Sequence, residues 1–579
     1  MIVGGMRRLG VLAIAGILAC AGCGGTTTSA LHGGTAIAAV DAGARDRDLG
    51  PADAAERIRF SVDLRMPGAA QLEAAAARIA DPSSPDYRHF LTADDIGARF
   101  GLPESAIDGV VATLERAGLT VVTRYRQRTA LLVEGPARSV GRLFGVVIHD
   151  RLDPAGRPYH GVVGEVTVPP QLAASVTTIR GLTNRLRPAP ATTAADLRRA
   201  AGARLPLNAT DLPAGGLKPS DVLTAYDIAT LRDAGIDGDG QTIAVVSFDT
   251  YRDADVTAFD RAFGITTPLP ERVSVGEPVQ PGEGAVEVDL DVQVIRSIAP
   301  KARILNFEAN QQTGFGPILD AIVSDGRANI VSISWGACEA PQITREMASE
   351  EPSFRRAAEA RGITIFVASG DNGAYCSRRE DPANSTVNVS WPATSPSVVS
   401  VGGTLLSMRT DRTYLTEAGW EDPLTGGGTG GGLSAVNERP TWQTGAGVET
   451  DASNGMRQVP DVAGPADPDS GFVIFTTEGG ETTPSATIVG GTSAAAPFWA
   501  ASTALAAQLA ARNGNGRGLG FLGPTLYQIA NGPDAAAFHD VTRGGNLRHR
   551  ATPGWDFATG LGSPDVAVLA RALAGQASP

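Results

Sequence analysis

The segment Gly490-Gly491-Thr492-Ser493-Ala494-Ala495-Ala496-Pro497 puts a serine at the start of an alanine-rich run, Ala494 to Ala511, that reads as a helix. At a helix N-terminus the backbone N–H groups lack intrahelical partners and the dipole is positive, which suits negative charge developing on a substrate carbonyl oxygen. The two glycines let a substrate backbone come close. A nucleophilic serine needs a base, and none of the six histidines is placed to serve: His32 follows the first residues, His89, His149 and His160 lie in the first third, and His539 and His549 lie downstream. Glu287-Val288-Asp289-Leu290-Asp291 offers a carboxylate instead. Positions i and i+4 share a helix face, so Glu287 and Asp291 can touch while Asp289 points elsewhere. Two adjacent carboxylates repel, share a proton at low pH and titrate as one unit. Such a unit can deprotonate a serine where a histidine would already be charged. Spacing alone leaves the register open, because Glu283 stands four residues before Glu287.

Taken singly, Ser493 reads as well as the cap of a buried helix, and the acidic stretch as a solvated face. A third element changes that balance. Ala368-Ser369-Gly370-Asp371-Asn372-Gly373 directly follows an apolar strand, at the strand end where open α/β sheets place their sites. By itself Asp371 is a turn residue. In an acid enzyme, a protonated Asp371 can donate a hydrogen bond to an oxyanion.

In this order the three motifs resemble the sedolisin family of serine-carboxyl peptidases, kumamolisin-type enzymes included, whose Glu-x-x-Leu-Asp, Ser-Gly-Asp and Gly-Thr-Ser-x-x-x-Pro signatures all occur here. Carried over by position, the resemblance implies Ser493 as nucleophile, Glu287 as general base, Asp291 as the residue orienting Glu287, and Asp371 as oxyanion stabiliser. It also selects Glu287/Asp291 over Glu283/Glu287. Ser84-Pro85-Asp86-Tyr87-Arg88-His89-Phe90-Leu91 is similar to the family's prodomain signature, and Ser332-Ile333-Ser334-Trp335-Gly336 to its substrate-lining segment. Val401-Gly402-Gly403-Thr404 and Pro460-Asp461-Val462 match as well.

Near the C-terminus, Phe538-His539-Asp540-Val541, Gly554-Trp555-Asp556 and Thr559-Gly560-Leu561-Gly562 resemble the family's calcium site. The resemblance implies one structural Ca²⁺ held by Asp540, the carbonyls of Val541, Thr552 and Gly554, and Asp556. Two carboxylates with backbone carbonyls make the all-oxygen shell that Ca²⁺ takes. Thr552 stands where the family often has glycine, which matters little for a carbonyl ligand. His539 is expected to be structural, since imidazole suits transition metals better.

The elements that must position these groups fall into two architectures. From Ala55 to Leu186, short alternating segments (60–64, 119–122, 130–133) are interleaved with helical patterns (71–80, 105–117, 138–144), which reads as an α+β domain of the ferredoxin-like, split βαβ type. From Ser220 onward the pattern is α/β: near-continuous apolar strands at 242–248, 303–307, 329–335, 363–368 and 398–402 separated by helices, as in a doubly wound, mostly parallel sheet. The resemblance makes this second unit a subtilisin-like catalytic domain. The expected division is an export signal at 1–23, a flexible leader at 24–54, an inhibitory propeptide at 55–186, a linker with the maturation cut at 187–216, and the peptidase at 217–579. The linker is rich in Ala, Pro, Thr and Arg without periodicity, and such segments are cut by proteases.

Arg7-Arg8 followed by the apolar run Leu9 to Ala19 has the order of an export signal and is too short for a membrane span. Cys20 and Cys23 follow small residues there, so lipoprotein-type cleavage competes with ordinary signal-peptidase cleavage. Only Cys338 and Cys376 remain, and an exported chain usually pairs them. With 579 residues, 42% of them hydrophobic, the chain is long enough for two or three buried cores. Its net charge of −13 disfavours nucleic acid and suits secretion into acidic surroundings. The reading is therefore a secreted, acid-active endopeptidase, monomeric and made as an autoprocessed zymogen, with protein or peptide substrates and its own propeptide as inhibitor. An inactive cell-envelope relative would lose one of Ser493, Glu287, Asp291 or Asp371, and all four are present. A neutral-pH serine peptidase would need a His-Gly-Thr-His-like segment, which is missing. A glycosidase built on Glu287 and Asp291 leaves the serine motif unexplained.

Overall fold

The computed structural model describes residues 35–37, 45–190, 212–213, 215–376, 386–450, 453–477, 481–516 and 518–575. The export signal at 1–23 with Cys20 and Cys23, residues 24–34 and 38–44 of the expected leader, and residues 191–211 and 214 of the expected linker lie outside the described residues.

The N-terminal unit is built on a four-stranded sheet. Strand β1 (Arg57–Leu64) alternates Ile58, Phe60, Val62 and Leu64 into the core, which is why the period-two pattern was readable. Helices α1 (Ala69–Ala80), α2 (Ala93–Phe100) and α3 (Glu104–Arg116) lead to strands β2 (Thr120–Arg124) and β3 (Ala130–Pro136), and helix α4 (Ala137–Phe144) precedes strand β4 (Val176–Arg180). The order is β2-β3-β1-β4 with every neighbour antiparallel, the order of a ferredoxin-like split βαβ sheet. Phe60 meets Phe144 edge to face at 5.7 Å, fastening α4 to the sheet. A second, three-stranded sheet of Arg47–Pro51, Val147–Leu152 and Pro158–Val163 is appended. Its first strand falls within the stretch read as leader. Arg47–Pro51 is mostly exposed and carries no alternation, so nothing in its composition marks it as a strand.

The second unit holds an eight-stranded sheet. In chain order its parallel strands are β6 (Thr242–Ser247), β7 (Glu271–Ser274), β8 (Arg303–Glu308), β9 (Ile330–Ile333), β11 (Thr364–Ala368), β13 (Val399–Met408) and β15 (Val462–Pro465), with β14 (Tyr414–Gly419) antiparallel on β13. The spatial order is β7-β8-β6-β9-β11-β13-β14, with β15 also on β13. Ile243, Val245, Val331, Ile333, Ile365 and Val367 are fully buried, as strands covered on both faces require. Helix α6 (Ala285–Ile298) packs on α9 (Thr492–Arg512), which in turn lies across β9, β11, β13 and β15. Ala494, Ala495 and Ala496 open α9 and are fully buried; their small side chains let its first turns sit close to the strand ends.

Helices α7 (Phe315–Asp325) and α8 (Thr344–Arg355) face the N-terminal unit. Across that seam Tyr125 donates its hydroxyl to the Pro317 carbonyl at 3.0 Å and Gln127 Nε2 donates to the Asp320 carbonyl at 2.9 Å. The buried Arg180 guanidinium lies 2.7 Å from Asp63 and 3.2 Å from Asp320. Strand β10 (Trp335–Cys338) follows β9 after one residue and runs antiparallel to β12 (Ser390–Trp391). Its end is covalently tied to the turn after β11 by the Cys338–Cys376 disulfide.

Candidate active site

Glu287 and Asp291 lie on the first turns of α6, both buried, at 1% and 0% exposure. Glu283 is exposed in the turn before the helix, so of the two registers that spacing left open, Glu287/Asp291 is the one with both carboxyls buried. Asp289 turns to the other side, where Thr476 Oγ1 donates to its Oδ2 at 2.8 Å. Asp249, at the end of the β6 turn, holds the entry to α6: its carboxylate accepts from Gly282 N and Gly284 N, each at 2.8 Å.

Ser493 is the second residue of α9 and fully buried, and its Oγ has no hydrogen-bond partner among the described residues. Gly491, at φ +105°, makes the sharp turn into the helix, and a Cβ on Gly490 would stand 2.3 Å from the Ala466 carbonyl oxygen. Pro497 is four residues after Ser493 and has no N–H, so the helical bond that would occupy the Ser493 carbonyl is not made. That carbonyl instead lies 3.2 Å from Ser334 Oγ, which is 2.5 Å from Asp291 Oδ1. A single hydroxyl proton serves only one of these acceptors at a time. When Asp291 carries a proton it donates to Ser334, Ser334 donates to the Ser493 carbonyl, and both contacts are satisfied. Burial pushes the Asp291 carboxyl well above the usual carboxylate range, with the Ser334 hydrogen bond opposing it. The arrangement therefore favours a proton on this carboxyl in acid.

Asp371 stands just beyond β11, buried, and its Oδ1 accepts Thr492 N at 2.8 Å and Thr492 Oγ1 at 2.7 Å. Gly370 N donates to the same Thr492 hydroxyl at 3.0 Å. The Ser-Gly-Asp and Gly-Thr-Ser segments are thus closed into one ring of hydrogen bonds. Ser334 and Thr492 are the two members that the motif reading did not assign a part. Both stood inside segments that it singled out.

Strand β5 (Ala189–Pro190) pairs antiparallel with β10, Ala189 opposite Gly336 and Pro190 opposite Trp335. Chain from the end of the N-terminal unit thus lies on the strand that begins one residue past Ser334.

For the metal, Asp540 Oδ2 accepts from Gly554 N at 3.1 Å and Asp556 Oδ2 from Thr552 N at 2.9 Å, so both carboxylates converge on the loop of residues 552–556. Among the described residues no three His, Cys, Asp or Glu side chains gather as a metal-binding group, so an ion here would rely on backbone oxygens. Two carboxylates with the carbonyls of Val541, Thr552 and Gly554 fit that requirement, and Gly554 at φ +78° adopts a backbone turn that other residues resist. His539 stacks on Tyr414, ring centroids 3.8 Å apart.

Residues 44–185 match the family model of the pro-kumamolisin activation domain, and residues 282–519 match that of the subtilase family. Kumamolisin from Bacillus sp. (strain MN-32) is 34% identical over 92% of this chain and 95% of its own length. Sedolisin from Pseudomonas sp. (strain 101) is 29% identical over 89% of this chain and 87% of its own. A solved structure of Pseudomonas sedolisin, a serine-carboxyl proteinase complexed with two molecules of pseudo-iodotyrostatin, superposes with a TM-score of 0.53 at 30% identity, covering 62% of this chain and 98% of that one.

Proposed function

Since the chain belongs to the sedolisin family of serine-carboxyl peptidases, we propose that it is an acid-active endopeptidase whose Ser493 is driven by the Glu287/Asp291 pair and which is made as a self-processing zymogen. Glu287 takes the Ser493 hydroxyl proton as Oγ adds to the substrate carbonyl carbon. Asp291, protonated and held by Ser334, orients Glu287. Asp371 and the Ser493 N–H at the start of α9 receive the oxyanion. The proton passes from Glu287 to the leaving amine, leaving an acyl-enzyme on Ser493. Water then adds by the reverse proton path and releases the acid product.

The observation that carries this reading is Ser334, which joins the buried Asp291 to the Ser493 carbonyl that Pro497 leaves without a helical partner. The pairing of β5 on β10 supports inhibition by the propeptide, because the linker that directly follows it would occupy the edge strand a substrate needs. We further propose one structural Ca²⁺ at Asp540, Val541, Thr552, Gly554 and Asp556, secretion directed by the N-terminal signal, and a maturation cut between residues 187 and 216. Purified Ser493→Ala precursor, brought to acid pH, is expected to stay uncut while wild type matures. Normal maturation of that variant would remove Ser493 from the mechanism.

A further inference from the structure

The mechanism leaves Asp289 idle, yet this carboxyl is fully buried in the middle of α6. Thr476 Oγ1 donates to its Oδ2, while its Oδ1 finds no donor among the described residues. Within hydrogen-bonding reach stands a second, equally buried carboxyl, Asp255, in the first turn of helix α5 (Asp253–Phe263). Asp255 accepts Thr477 Oγ1 at 2.5 Å and Thr477 N at 3.1 Å. Thr476 and Thr477 end strand β16 (Phe472–Thr476) of the hairpin with β17 (Ser485–Val489), so one strand end is held by carboxyls from two helices.

The surroundings offer little charge to balance them. Arg252 acts on the pair from a distance, but its Nη1 donates to the Thr477 carbonyl at 3.1 Å. Asp253 pairs outward with Arg272 at 2.7 Å, and Glu287 and Asp291 lie on the other side of α6. Two carboxylates buried in contact cannot both be ionised cheaply. A single proton between them removes the repulsion and gives Asp289 Oδ1 the partner it lacks.

We propose that Asp289, buried against Asp255, keeps a proton in acid and donates it to that neighbour, an acid-closed clamp fixing α5 and the β16 end to the helix that carries Glu287 and Asp291. Burial, then the charge of Asp255, hold the Asp289 carboxyl well above the usual carboxylate range. The folded state thus keeps a proton that the unfolded chain gives up. The contribution is complete below the ordinary carboxylate range and is lost as pH rises through the raised value. Rising pH opens the clamp, whatever the chemistry at Ser493.

The test uses the full chain with Ser493→Ala, so that self-digestion does not intervene, with and without Asp289→Asn. An amide keeps the shape and neutrality of the protonated acid and donates where its proton does. Unfolding of the Asp289→Asn chain is expected to be at least about tenfold slower than its parent near pH ~7.5, the effect of one pK unit of proton linkage, and within about twofold of it near pH ~4. An equal rate ratio at the two pH values overturns the proposal, as does faster unfolding at both. If Asp289→Asn does not accumulate, Asp255→Asn is put through the same comparison. Failure of both variants to fold in acid, where the amide should mimic the closed form, also overturns it.

Discussion

Asp371 Oδ1 receives both the backbone N–H and the hydroxyl of Thr492, at 2.8 and 2.7 Å, which fastens the turn after β11 to the residue immediately before Ser493. The carboxyl assigned to the oxyanion is thereby positioned by the nucleophile's own neighbour. Thr492→Val keeps the shape and the N–H contact but removes the hydroxyl that also accepts from Gly370 N. In steady-state kinetics on a peptide substrate, kcat is expected to fall about tenfold with KM little changed, against roughly 10²–10³-fold for Asp371→Ala, the range for losing an oxyanion donor. A Thr492→Val enzyme with wild-type kcat would detach this hydrogen-bond ring from catalysis.

Ser334 gives a prediction with a sign. Burial raises the Asp291 carboxyl and the Ser334 hydrogen bond opposes that rise, so Ser334→Ala lets it climb further. A carboxyl whose pKa is raised keeps its proton to higher pH, so the active form, with Glu287 ionised and Asp291 protonated, persists further toward alkaline pH. The alkaline limb of the kcat/KM profile is expected to move to higher pH by about half a unit to one unit, the scale of one hydrogen bond to a charged group. An unmoved limb, or one displaced toward acid, contradicts the assignment of the pair as base.

The Cys338–Cys376 bridge spans 38 residues and joins the end of β10 to the turn that carries Asp371. Chain-entropy accounting for a loop of that length gives about 4 kcal/mol. Replacing both cysteines by serine should lower the denaturation midpoint and leave the alkaline limb where it was, because neither sulfur touches the carboxyl pair. A shift of the limb without loss of stability would place the bridge in the chemistry instead.

The site was legible wherever its members are close in sequence. Glu287 and Asp291 are one helical turn apart, so the 3.6-residue period alone put them on one face and Asp289 on another, as observed. The ferredoxin-like sheet was legible through strands such as Arg57–Leu64, whose alternation records a single buried face. Ser334 and Thr492 stood inside recognisable segments, but their roles depend on contacts 43 and 121 residues away, and no local pattern encodes those. Arg47–Pro51 is invisible for the opposite reason: an exposed edge strand buries nothing and so leaves no periodic mark. The Asp255–Asp289 contact joins two helices that each look merely acidic along the chain.

A Ca²⁺ bound only by the folded protein adds stability by mass action, about 2.7 kcal/mol at a hundredfold excess over its Kd. Chelation should therefore lower the melting temperature of the wild-type chain. Asp540→Ala, which removes one of the two converging carboxylates, should start from the lower value and show no further response. Equal responses in both proteins would move the ion elsewhere, and no response in wild type after demonstrated metal removal would argue against the site altogether.

Strand β10 is paired along both edges, to β5 at the start of the linker and to β12. Gly336 sits opposite Ala189, and a Cβ added there would stand 2.8 Å from the Trp391 carbonyl oxygen of β12. That contact is backbone and cannot swing aside, so Gly336→Ala must displace β10 at a cost of about 1–3 kcal/mol. The displaced edge is the one that the proposed function assigns to both substrate and linker. Two effects should therefore appear together: KM for peptides rises by about tenfold, one to two kcal/mol of lost strand pairing, and self-processing slows. Burial of Ser493, Glu287 and Asp291 is untouched, so kcat at saturating substrate should fall much less than kcat/KM. A fall confined to kcat would mean that β10 shapes the chemical centre and leaves substrate binding to another edge.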